Sequence, residues 1–180
     1  KPTVTAWIGL AIIAINLFIV FFGPFLAPYT QSETVGATWD ESNSKMWLGA
    51  DQIGRDMLTR LIYGARMTIG VAFATTLVSF SIGVTTGFMA AVLGGWTDSA
   101  LSRLVDVVLS IPLLIFALII LGVFGSSIPV LILTIGVLDS MRVFRLARSL
   151  GMNLSVLEYV EAAKLRGEGT WWLISKEVLP

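Results

Sequence analysis

Residues 107 to 144 read VVLSIPLLIFALIILGVFGSSIPVLILTIGVLDSMRVF, thirty-eight residues with two charges among them. A helix crosses the hydrocarbon core of a bilayer in about 20 residues, so the run is too long for one span and suits two. Gly125-Ser126-Ser127-Ile128-Pro129 interrupts it near the middle. The division predicts helices over about 104–124 and 127–144, with Pro112 kinking the first. The rest of the chain follows from that division.

The composition agrees with a membrane protein. Of 180 residues, 56% are hydrophobic and 13% charged, about half the charge of a soluble domain. Twelve basic residues balance twelve acidic ones, so no net field points to nucleic acid. The chain has no cysteine and no histidine, which removes disulfides, thiolate metal sites and the commonest metal ligand and general base. No Gly-rich lysine loop of the ATP-binding type is present. The sequence therefore predicts no enzyme activity, no metal and no cofactor in this chain.

Toward the N-terminus, Ala6 to Leu26 forms a first apolar stretch. Its thirteen Ile, Leu, Phe and Val residues favour insertion by about 4 to 8 kcal/mol. Asn16 subtracts from this without reversing it, and Pro28 ends the helix. A cleaved signal peptide is the other reading, although the run exceeds a typical signal core. Residues 30–66 are polar, opening as a loop and ending in an amphipathic lead-in helix with Met57, Leu58, Ile62 and Leu61 on one face. A second span covers about 68–93. It is rich in Gly, Ala, Ser and Thr, and Gly83-x-x-x-Gly87 fits a helix-packing face whose hydroxyls can bond across the contact.

Charge tests the division. With four spans, Lys1, Arg103, Arg142, Arg145, Arg148, Lys164, Arg166 and Lys176 share one side, and Lys45, Arg55, Arg60 and Arg66 the other. The positive-inside rule then places the N-terminus and residues 150–180 in the cytoplasm. Asp139 lies near the end of the fourth span. It reads either as half of a structural pair with Arg142, three residues on, or as an ion-coupling acid. Arg142, Arg145 and Arg148 read as topology anchors or as an anion site.

The last twenty residues, EAAKLRGEGTWWLISKEVLP (161–180), read as a helix-turn-helix. Ser155 and Glu158 fit a capping box, Gly167 supplies the left-handed turn, and Trp171 and Trp172 suit a membrane boundary. Glu161-Ala162-Ala163, Gly167 and Leu179-Pro180 in this spacing resemble the cytoplasmic coupling loop of ATP-binding-cassette importer permeases. Glu177 departs from the apolar residue common there. Leu48-Gly49-Ala50-Asp51, with Gly54-Arg55-Asp56, is similar to the extracytoplasmic motif of the peptide and nickel branch, with Ala50 in place of a threonine. The charges at 51–66 either touch a binding protein or only anchor the helix.

The resemblance implies an all-α polytopic bundle: an N-terminal segment with its first helix (1–29), an extracytoplasmic loop (30–66) and the start of the transport domain (67–180). It implies two further C-terminal spans beyond Pro180. It also implies a homologous permease subunit, two ATP-binding subunits, an extracytoplasmic substrate-binding protein and a place in the cytoplasmic (inner) membrane. Glu161, Ala162, Ala163, Gly167, Leu179 and Pro180 would then couple ATPase closure to transport, and Gly49, Asp51, Gly54, Arg55 and Asp56 form the outer motif. No cluster of ligand-type residues names the cargo. An ion-coupled carrier using Asp139 and Asp106 is the alternative.

Overall fold

The computed structural model describes residues 3–155, 166–169 and Trp172. Its helices are α1 (Val4–Leu26), α2 (Met57–Leu93), α3 (Gly95–Ser110), α4 (Leu113–Phe124) and α5 (Ile128–Ser155). Among the described residues the remaining structure is turn and loop, with two isolated antiparallel bridges. Two compact units divide the chain, residues 1–71 and 72–180.

In the first unit, α1 is apolar and exposed around its circumference, as lipid contact requires. Asn16 is exposed, and its Nδ2 donates to the Ile12 carbonyl of the preceding turn at 2.9 Å. The helix closes at Ala27, whose extended backbone precedes Pro28. Gly23 is buried, and a Cβ there would lie 2.5 Å from the Ile62 side chain, so a side chain at Gly23 would hold the two helices apart.

The second unit is built on α2 and α5. Thr75, Ser79, Gly83 and Gly87 are buried at every fourth position of α2, and Gly136, Ser140, Phe144, Ala147 and Gly151 form the matching row on α5. A Cβ at Gly136 would meet Val78 and the Thr75 carbonyl. One at Gly83 would meet Ser140 and Val143, one at Gly87 Phe144 and Ala147, and one at Gly151 Phe88 and Ala91. Both sequences ascend together, so α2 and α5 run parallel in close contact over about 22 Å. Small residues permit that approach. Among the described residues no hydroxyl is seen to bridge it, contrary to expectation. Thr76, Thr85, Thr86 and Ser140 donate to carbonyls of their own preceding turn, the local bond that a helix always offers.

Parallel neighbours require the chain between them to cross back. The connection is α3 and α4, bent by 86° at Ile111-Pro112, and both pack on α5. The kink expected at Pro112 is thus a full break, and the segment starts at Gly95 instead of 104. Ala90, Val105 and Phe144 form the core where α2, α3 and α5 meet.

Two helices, α1 and α2, are each long and apolar enough to cross a membrane, and α3 with α4 makes a third if counted as one bent span. The expected fourth span, 127–144, is realised as a longer helix. α5 carries Asp139, Arg142, Arg145 and Arg148 and does not meet the same measure alone. The lead-in helix and second span are likewise one element. At 37 residues, α2 is about 56 Å long, far beyond a bilayer core.

Candidate functional site

The motif from Gly49 to Asp56 forms a clasp. Gly49 and Gly54 have φ of 72° and 77°, which side chains with a Cβ rarely adopt. A Cβ at Gly49 would also lie 2.6 Å from the Asp40 carbonyl, and one at Gly54 would strike the Gly36 carbonyl. These turns bring Asp51 inward, where it is 5% exposed. Its Oδ1 accepts from the amides of Ile53 (2.8 Å) and Arg55 (3.0 Å), and its Oδ2 accepts from Arg55 Nε (3.0 Å) and Arg60 Nη1 (2.5 Å). Burial pushes the Asp51 carboxyl up, but the two amides and the two guanidinium groups outweigh it and hold it well below the usual carboxylate range.

Asp56 caps α2 by accepting from the Thr59 amide at 2.8 Å. It and Thr59 are almost wholly buried, while Met57 and Leu61 are exposed. The predicted apolar face of 57–62 is therefore turned: the cap draws the polar residues inward and sends Met57 and Leu61 outward. Met57 N donates to the Gly49 carbonyl at 3.0 Å, tying the clasp to the first turn of the helix. Gly49, Asp51 and Asp56 thus hold the loop to α2, while Gly54 and Arg55 fold the loop on itself.

The three arginines of α5 each face a carboxylate. Arg142 Nη1 donates to Asp139 Oδ1 at 3.2 Å, and Arg145 Nη2 to Asp106 Oδ1 at 2.6 Å. Arg148 makes a bidentate pair with Asp98, through Nε and through Nη2 (2.6 Å to Oδ2). Two of the pairs cross from α3 to α5. Sequence reading chose a partner for Arg142 alone, and that pair is present. The other two join residues of different helices, and spacing along either helix does not mark them.

Asp139 lies within α5, which continues to Ser155, and the α2–α5 register sets it level with Ser79, near the Thr75–Gly136 end of the packed interface. Ser155 itself, expected as an N-cap, lies in α5. Of the coupling residues, Gly167 has φ of 80° with open space around its Cβ position, the left-handed turn the sequence called for. Glu161, Ala162, Ala163, Leu179 and Pro180 lie outside the described residues.

Known proteins share this pattern. Residues 83–180 match the binding-protein-dependent transport system inner membrane component family. The chain belongs to that family. Residues 4–44 match the N-terminal transmembrane domain of oligopeptide transport permease C, so the two matches take in α1 with part of the following loop, and α2 onward from Gly83. The dipeptide transport system permease protein DppC of Alkalihalophilus pseudofirmus is 32% identical over 181 residues, 100% of this chain and 60% of that protein. The oligopeptide transport system permease protein OppC of Bacillus subtilis is 29% identical, over 97% of this chain and 58% of its own length. The glutathione transport system permease protein GsiD of Pectobacterium atrosepticum is 28% identical, over 90% and 54%. The chain thus spans about three fifths of the length of the relatives it matches. It is a multi-pass membrane protein of an inner-membrane permease family.

Proposed function

We propose that this chain is the permease subunit of an ATP-driven, binding-protein-dependent importer for peptides. The observation that carries this is the match along nearly the whole chain to permeases named for dipeptides and oligopeptides. Those names favour peptides over nickel as cargo. In this reading a homologous permease completes the pore, two ATP-binding subunits hydrolyse ATP, and a binding protein delivers cargo to the outer face. The charge count and the parallel run of α2 and α5 support a cytoplasmic N-terminus and coupling loop.

Glu161 to Gly167 then acts as the lever against the ATPases. ATP binding favours one of two conformations through contacts that differ between them, and the loop transmits that difference to the helices. In the ion-coupled alternative Asp106 and Asp139 would be the working acids. Each carries an arginine partner here, the arrangement of charge-compensated pairs.

The test uses the assembled complex. Gly167→Trp puts a β-carbon on a left-handed residue, at roughly 1 kcal/mol or more, and a ring on the surface that approaches the ATPase. Glu161→Lys reverses the lever's charge. Both variants should assemble in normal amount yet lose cargo-stimulated ATP hydrolysis at least tenfold. Stimulation at the wild-type level in both would remove the coupling role from this loop.

A further inference from the structure

Near the Thr75–Gly136 end of the α2–α5 interface the two helices leave a cleft of about 230 Å³, lined by Thr75, Thr76, Ser79, Asp139 and Arg142 together with the apolar Phe80 and Val143. Ionisable groups within membrane segments mark ion or substrate pathways more often than ordinary packing. This cleft has unspent polar capacity. The Thr75 hydroxyl is buried with no hydrogen-bond partner among the described residues. Thr76 donates to the Ala72 carbonyl and keeps its acceptor lone pairs. Among the described residues Asp139 receives only the Arg142 bond, on Oδ1, and the two side chains are 35% and 64% exposed. The rim therefore offers a carboxylate, a guanidinium and hydroxyls, with no net charge.

We propose that this cleft is a cargo contact in the transport path, where Asp139 accepts from an ammonium group of a peptide and Arg142 donates to a carboxylate or peptide carbonyl. The inference rests on the peptide-importer reading and adds to it the residues that touch cargo. A net-neutral rim with both signs suits a zwitterion and disfavours a simple cation or anion. Sites that enclose a whole small ligand run to about 300–1,000 Å³, so this cleft takes one end of a peptide and not all of it. A partial, weak contact is what conduction needs, since cargo must leave as readily as it arrives.

The experiment uses the assembled importer with its loaded binding protein in proteoliposomes. A dipeptide carrying a photoreactive side chain is cross-linked during turnover, and the labelled segments are mapped by mass spectrometry. Label should fall on residues 72–80 and 136–143, and unlabelled dipeptide should compete for it. Asp139→Asn or Arg142→Gln should lower that labelling about tenfold or more, the loss of one charged hydrogen bond. Label confined to other segments, or undiminished in both variants, overturns the proposal. So does wild-type labelling and uptake in the charge-swapped Asp139→Arg, Arg142→Asp variant, because a purely structural pair would survive the swap. Wild-type complex that takes up no dipeptide overturns the peptide reading itself, and this contact with it, before any variant is made.

Discussion

Asp51 shows how much one side chain organises. Four donors from Ile53, Arg55 and Arg60 converge on its carboxylate, and the loop 27–56 is pinned to α2 through it. Asparagine is nearly isosteric but keeps one acceptor and no charge, so both guanidinium groups lose their partner. In Asp51→Asn, trypsin should cut after Arg55 and Arg60 at least several-fold faster than in wild type, with exposed Gln52→Ala as an unchanged control. Equal cleavage rates would mean that the clasp is held by the backbone bridges alone. The pH dependence has a fixed sign. A carboxyl held below its unfolded value of about 3.9 adds stability that is complete above that pH and lost as pH falls toward the folded value. Protection of the Ile53 and Arg55 amides should therefore stay constant from about pH 8 to about pH 4 and fall only in stronger acid.

Between elements, the α2–α5 contact decides the architecture, and glycines set its distance. Gly83 and Gly70 lie on the same helix, yet a Cβ at Gly83 meets Ser140 O at 2.7 Å and Val143 at 2.6 Å, while one at Gly70 meets nothing within 4 Å. The same substitution should then have opposite signs. Gly83→Ala overpacks against backbone and should cost about 1–3 kcal/mol, lowering the melting temperature of the purified protein. Gly70→Ala should raise stability by up to about 1 kcal/mol through helix propensity. Shifts of one sign would show that the small-residue row is not the packing face. This row was legible in the sequence because Gly83 and Gly87 repeat at helical spacing, and the interruption at 125–129 correctly divided the long apolar run. The pairs from α3 to α5 and the full 86° size of the bend at Pro112 were not read. Each depends on which helix lies beside which, and periodicity within one segment carries no such information.

At the scale of the whole molecule, the order is an apolar first helix, a clasped loop, and a parallel α2–α5 pair bridged by a broken span. The first unit holds the clasp, and the second holds the Asp139 cleft near the Thr75 end of the interface and the α3–α5 arginine pairs further along α5. The Gly167 turn lies beyond the end of α5 in the chain. Family membership was legible because the C-terminal spacing and the outer motif are local patterns, and the order of spans is consistent with both. The central claim is that ATP hydrolysis in partner subunits drives peptides past this chain. The direct measurement is uptake of a radiolabelled dipeptide into proteoliposomes holding the complete complex, with ATP and the proton gradient varied independently. The account predicts uptake that requires ATP inside the ATPase compartment and persists when the gradient is collapsed. Uptake that follows the proton gradient without ATP would contradict it and return Asp139 and Asp106 to the role of coupling acids.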